Sequence, residues 1–277
     1  MCKTTTKEGK NVLKTTQSKD GTTLAYDVYG SGPALLFITG ATCFRSFEPV
    51  LHDAQVLAEQ FTVYNYDRRG RGDSGNTLPY AIEREIEDIE ALIDAAGGTA
   101  YLYGHSSGAI LALNAAMQLD AKVSKLVMYD PSYANNEADL KEFNELSQAL
   151  YKLLEGGKNA DAISLFLEGI GIPKEVVHYM QQSPQWESMA ALAPTLAYDI
   201  TLASSLPPIE HARKLRTPTQ IIVGEASPAS LHDVASQLSQ AIPDAQYKLL
   251  EGQDHMPDPT VLLPVITSFL RDKNGSR

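Results

Sequence analysis

The chain has 277 residues, 43% of them hydrophobic and 21% charged, which is enough apolar surface for a sizeable core and too much for a disordered chain. Its 34 acidic and 23 basic side chains leave a net charge of −11, whose field repels phosphate backbones and anionic lipid heads, so neither nucleic acid nor a membrane surface is an expected partner. The start, Met1-Cys2-Lys3-Thr4, lacks a signal-type apolar run, no segment reaches the roughly 18 apolar residues of a membrane helix, and Cys2 and Cys43 have neither disulfide nor metal-ligand spacing. A reducing, cytoplasmic setting is the expectation.

Residues 1–19 read as an N-terminal tail with room for a first strand. From residue 20 short apolar runs alternate with helix-length amphipathic stretches, the rhythm of a parallel sheet covered by helices. Strands are predicted at Thr22–Val28 and Ala34–Ile38, a helix at Ser46–Glu59, a strand at Phe61–Tyr66, and a helix at Tyr80–Ala96 stopped by Gly97-Gly98. Apolar runs at Ala100–Tyr103 and Val123–Tyr129 then flank a small-residue helix, Ser107–Leu119.

After Asp130-Pro131 the rhythm breaks, and helical periodicity without a convincing strand continues to the run at Thr219–Val223. Helices are predicted at Glu137–Leu154, Ala160–Gly169, Pro173–Gln181 and Trp186–Ser204, punctuated by Gly156-Gly157, Gly171-Ile172-Pro173 and Pro207-Pro208. This makes residues 132–208 a helical block inserted into a core of 20–131 and 209–277. A helix at Ser230–Ala241, a strand at Gln246–Leu250 and a helix at Thr260–Asp272 complete the core.

Where the Ala100–Tyr103 run meets its helix stands Gly104-His105-Ser106-Ser107-Gly108, a G-x-S-x-G in strand, turn, helix context. The turn is so tight that side chains two residues either side of the central serine would meet backbone, hence the paired glycines. Ser106 is the predicted nucleophile. Ser107 sits off-centre between the glycines and is expected to give its backbone N–H to an oxyanion hole, where the helix start also favours negative charge.

With Asp67-Arg68-Arg69-Gly70-Arg71-Gly72-Asp73-Ser74, these residues make positions 20–272 resemble the alpha/beta-hydrolase superfamily. The second motif is similar to a loop that is mainly architectural there. The resemblance implies an alpha/beta fold of eight mostly parallel strands flanked by helices, a helical cap after strand six at 132–208, and a triad in the chain order Ser, acid, His. It implies His255 as the base, since this histidine lies between the last predicted strand and the last helix. It implies Ala41 as the second oxyanion donor, although Thr39-Gly40 stands where the superfamily commonly has His-Gly. The acid has two candidates. Its usual site after strand seven reads Gly224-Glu225-Ala226-Ser227, with serine where the aspartate would stand. The alternative site after strand six offers Asp130, which is preferred, with Glu225 as the other candidate.

The expected chemistry is hydrolysis of a carboxylic ester, lactone or related acyl bond of a small molecule through an acyl-enzyme, with no metal and no cofactor. Cofactor-free haloperoxidase or perhydrolase activity uses the same triad, and a ligand-binding member of the fold without turnover is the rival from another class. Cys43 has no basic partner nearby in sequence and reads as an inert thiol. Neither the substrate nor the oligomeric state is legible.

Overall fold

The computed structural model describes residues 13–134, 136–205 and 208–272. Cys2, residues 1–12 of the expected tail, and Pro207 lie outside the described residues. The room left for a first strand is filled by β1 (Lys14–Gln17), followed by β2 (Thr23–Tyr29), β3 (Ala34–Ile38), α1 (Glu48–Leu57) and β4 (Thr62–Tyr66). Next come α2 (Ile82–Ala95), β5 (Ala100–His105), α3 (Ser107–Leu119) and β6 (Val123–Tyr129). The insert carries α4 (Glu137–Glu155), α5 (Asn159–Gly169), α6 (Lys174–Met180), α7 (Trp186–Ala191), α8 (Leu196–Ser205) and α9 (Pro208–Ala212). The chain closes with β7 (Thr219–Gly224), α10 (Ala229–Ala241), β8 (Gln246–Leu250) and α11 (Pro259–Arg271).

The eight strands form one sheet in the order β1-β2-β4-β3-β5-β6-β7-β8. β2 runs antiparallel to both neighbours, and every pairing from β4 to β8 is parallel. The alternation of side chains along each strand divides the core between the two faces. Leu36, Leu102, Met128 and Ile221 pack on one side against Ile86, Ile89 and Leu92 of α2, Ile110 and Leu113 of α3, and Val234 and Leu238 of α10. Their neighbours Leu35, Phe37, Tyr103, Val127 and Ile222 pack on the other against Val50 and Leu57 of α1 and Leu262 and Ile266 of α11. Each such side chain, fully buried, stabilises the fold by roughly 1.5–3 kcal/mol. With both faces covered, β7 is buried along its whole length, which is why the central strands read as continuous apolar runs.

The register sets the site. Ile38 is level with Gly104, His105 with Tyr129, and Tyr129 with Ile222. Thr39-Gly40, Ser106, Asp130 and Glu225 therefore all leave the sheet at its carboxyl edge, where open parallel sheets bind ligands.

The insert has its own apolar cluster, with Leu150, Ile163, Phe166, Val177, Leu196 and Ile200, and Ala41 and Phe47 of the core pack against it. The single helix expected over Trp186–Ser204 is instead two. α7 ends at Ala191, a 3-10 turn spans Ala193–Thr195, and α8 starts at Leu196. Pro194 is the cause: it has no N–H to donate, and its ring crowds the preceding turn. The short helix α9 was not expected, and the boundary placed between 208 and 209 falls inside it.

Candidate active site

Ser106 sits between β5 and α3 at φ 57°, ψ −127°, a conformation that costs a non-glycine residue on the order of 1–3 kcal/mol and is held by its surroundings. Its N–H donates to Tyr129 O at 3.0 Å, and its carbonyl accepts from Ala109 N at 2.9 Å. The flanking glycines are obligatory. A Cβ at Gly104 would lie 2.5 Å from Gly108 O, and one at Gly108 would lie 2.3 Å from Ile38 O. Gly40 has the same role from the facing loop, where a Cβ would approach the Ser106 Cβ to 2.9 Å.

His255 occupies the loop between β8 and α11. Its Nε2 is 3.2 Å from Ser106 Oγ, and its Nδ1 is 2.9 Å from Asp130 Oδ2. An ionised carboxylate only accepts, so Nδ1 carries the proton and Nε2 is left to accept from the serine hydroxyl. Asp130 is fully buried at φ 46°, just past β6. Its Oδ1 accepts from Gly224 N at 3.1 Å, and its Oδ2 also accepts from Ser227 Oγ at 2.6 Å. The serine at the superfamily's usual acid position thus serves the carboxylate that comes from the other strand.

Glu225 is not brought to the histidine. Its side chain is exposed, and its Oε2 accepts the Gly252 N–H at 2.8 Å. His105 points away from the serine hydroxyl and braces the His255 backbone, with its Nε2 2.8 Å from His255 O. Burial, and next the neighbouring His255, lower its pKa to about 4, so it is neutral at ordinary pH and donates to that carbonyl.

Ala41 and Ser107, the expected oxyanion donors, lie on the loop after β3 and in the first turn of α3. No acceptor among the described residues takes either N–H. Cys43 is two residues beyond Ala41, and burial pushes its thiol up to about 11, keeping it protonated. Among the described residues no group of three His, Cys, Asp or Glu side chains could hold a metal ion. Among them, too, no helix is long and apolar enough to cross a membrane.

A set of buried ion pairs lies beside the site. Arg68 holds Glu85 of α2 through Nε and Nη2, both at 2.7 Å, and reaches Asp199 of α8 through Nη1 at 2.9 Å. Arg71 donates to Asp199 Oδ2 at 2.6 Å and to Gly40 O at 2.6 Å. Ser107 Oγ donates to Asp199 Oδ1 at 2.8 Å. The outer part of the same loop is architectural. Asp67 accepts from the N–H groups of Arg45 and Asp73, and Arg69 pairs with Asp88 and Asp20.

The signature of the alpha/beta hydrolase family matches residues 35–262, from β3 into α11. The chain belongs to the alpha/beta hydrolase family. An alpha/beta hydrolase from Sphaerobacter thermophilus DSM 20745 is 40% identical in sequence, and its crystal structure superimposes with a TM-score of 0.81 over 93% of this chain and 100% of its own. RutD of Escherichia coli O127:H6, provisionally named a carbamate hydrolase, is 26% identical over 267 residues, 90% of this chain and 96% of its own. Esterase RhEst1 from Rhodococcus sp. ECU1013, 20% identical with a TM-score of 0.70 over 93% of this chain and 98% of its own, shares the fold.

Within this alpha/beta hydrolase, reading the sequence did not find Asp199, Arg68, Arg71 or the role of Ser227. Arg68 and Arg71 stood in plain view in the Arg-rich loop, but nothing in its spacing says that these two reach Asp199 of the insert while Arg69 pairs with Asp88 and Asp20. Asp199 had one usable signal: it is the only charged residue in a mostly apolar run, Ala190–Ala203. A lone charge in such a run is buried with a partner or placed for function.

Proposed function

We propose that this alpha/beta hydrolase cleaves a carboxylic ester, lactone or related acyl bond of a small molecule through an acyl-enzyme on Ser106. The observation that carries the reading is the unbroken hydrogen-bond relay from Ser106 Oγ through both nitrogens of His255 to Asp130 Oδ2. A serine hydroxyl is a weak nucleophile near neutral pH, and a neutral imidazole at its oxygen, fixed in the right tautomer, is the remedy.

In the first half-reaction Ser106 Oγ attacks the carbonyl carbon while its proton passes to His255 Nε2. The oxyanion is held by the N–H groups of Ala41 and Ser107, and the leaving heteroatom departs with the proton from His255. Water then repeats the sequence and releases the acid. Asp130 orients the ring through Nδ1 and stabilises the imidazolium. The insert, 132–208, acts as a cap that shapes the substrate pocket over the carboxyl edge. The provisional name of RutD is consistent with this scope, because a carbamate, like an ester, presents a carbonyl carrying a heteroatom leaving group.

Turnover of chromogenic esters and lactones of increasing acyl length tests the proposal. Wild-type protein should hydrolyse at least one short-chain member, and Ser106→Ala should lower kcat/KM by about 10³-fold or more. Equal rates in wild type and variant would refute the serine mechanism. A folded wild type inert toward the whole panel would favour a ligand-binding role.

A further inference from the structure

Asp199 belongs to the insert, not to the sheet, yet its side chain is only 4% exposed and its carboxylate meets Arg71, Arg68 and the Ser107 hydroxyl. These contacts converge on the two backbone groups that the proposed mechanism uses. Arg71 holds Asp199 with Nη2 and Gly40 O with Nη1. The Gly40 carbonyl and the Ala41 N–H are two ends of one planar peptide, trans like every described peptide except Leu78-Pro79, and the two ends point in opposite directions. A guanidinium gripping the oxygen therefore sets the heading of the hydrogen. Its positive charge at that end also polarises the amide and strengthens the N–H as a donor. Ser107, whose N–H is the other donor, is tied by its own hydroxyl to the same carboxylate.

We propose that Asp199 is the positioning residue for both oxyanion donors, aiming the Ala41 N–H through Arg71 and anchoring the Ser107 N–H through the Ser107 hydroxyl. The proposal rests on the serine-hydrolase reading above. It makes the insert part of the oxyanion hole, because the donors are aimed only when α8 is seated. A parallel stack of Tyr80 on Tyr198, with ring centroids 3.8 Å apart, and the bond from Tyr198 OH to Asn76 Oδ1 at 2.9 Å hold α8 there. Charges balance within the set, with Arg68 and Arg71 facing Glu85 and Asp199. Burial pushes the Asp199 carboxyl up, but Arg71 and Arg68 outweigh it and hold the group below its ordinary 3.8, so it is ionised wherever the histidine can act as base. Where the superfamily commonly has histidine beside Gly40, this chain has Thr39, and Arg71 holds the Gly40 carbonyl.

Two variants test this. Asp199→Asn keeps the shape and removes the charge, and Ser107→Ala deletes only the hydroxyl bond and leaves the ion pairs. Intact sites are titrated to completion with a fluorophosphonate, and rates are expressed per titrated site. Losing one oxyanion donor outright costs about 10²–10³-fold in kcat. Mis-aimed donors should cost less, about 10–100-fold in Asp199→Asn and about 3–10-fold in Ser107→Ala, with KM within about 3-fold of wild type. Affinity for a trifluoromethyl ketone, which forms a tetrahedral adduct, should fall in parallel with kcat/KM.

A role in stability alone would lower Tm and the number of titratable sites while leaving kcat per site and ketone affinity at wild-type values. That result in both variants would overturn the proposal. If Asp199→Asn does not fold, Ser107→Ala decides by the same criteria. Wild-type protein that takes up no fluorophosphonate would instead sink the serine-hydrolase reading itself.

Discussion

Two buried aspartates stand on either side of the elbow, and their surroundings differ in kind. Asp130, at the end of β6, takes hydrogen bonds from Gly224 N and Ser227 Oγ and faces an imidazole. Asp199, on the insert, takes one serine hydroxyl and faces two guanidiniums. A guanidinium is always charged, so the second group is a fixed clamp, suited to holding backbone in place. An imidazole can accept and release a proton at its far nitrogen, which is what the proposed mechanism asks of the first. A third carboxylate, Asp53 on α1, has no hydrogen bond or ion pair among the described residues, and burial, then the neighbouring Asp258, raises its pKa to about 7. The partners differ as the proposed roles do: an imidazole faces Asp130, two guanidiniums face Asp199, and the half-buried Asp53 has neither.

The largest expected effect is at Asp130. Asp130→Asn should lose about 10³–10⁴-fold in kcat, because an amide at that position can donate to Nδ1 and favour the wrong tautomer. Glu225→Gln, whose side chain only caps the Gly252 N–H, should stay within about 2-fold. Steady-state kinetics on one ester checks both, and the reverse order would break the assignment of the acid. Next comes Ser227→Ala, which removes one of the donors to Asp130 Oδ2. It should lower kcat about 3–10-fold, with KM unchanged, the size of a hydrogen bond to a charged group felt at one remove.

The smallest effect is on stability and has a sign that depends on pH. The folded pKa of Asp53 lies above the unfolded value of 3.8, so its penalty is absent below about pH 4 and fully present above about pH 7. Asp53→Asn should therefore raise Tm by a few degrees at pH 8 and leave it unchanged at pH 4. Thermal melts at the two pH values check it, and an equal shift at both would show that the group is not strained.

The sheet was legible because its signal is local. β3, β6 and β8 and helix α3 have the bounds that the residue pattern predicts, and for β3 and helix α3 the reason is a mostly apolar run flanked by proline, glycine or a charge, which reads the same in sequence and in space. The break between α7 and α8 was not legible, because apolar periodicity runs straight through Pro194 and only the proline argues against continuity. Ser106 could be named from its glycine flanks and His255 from its place in the resemblance. The choice between Asp130 and Glu225 could not be settled by spacing. Both follow a strand at the same edge, and nothing in the chain says that the Gly252 N–H occupies one of them. Asp199 was hidden for a plainer reason: it lies 92 residues from Ser107 and 128 from Arg71, so only folding brings the clamp together.

Mapping where a fluorophosphonate attaches shows whether Ser106 is the nucleophile. Wild-type protein, shown to be folded by circular dichroism, is treated with the probe, digested, and its peptides are weighed by mass spectrometry. A single adduct on Ser106 is expected, absent in Ser106→Ala and formed far more slowly in His255→Ala. No adduct on the folded protein, or an adduct on Ser107 or any other residue, would contradict it.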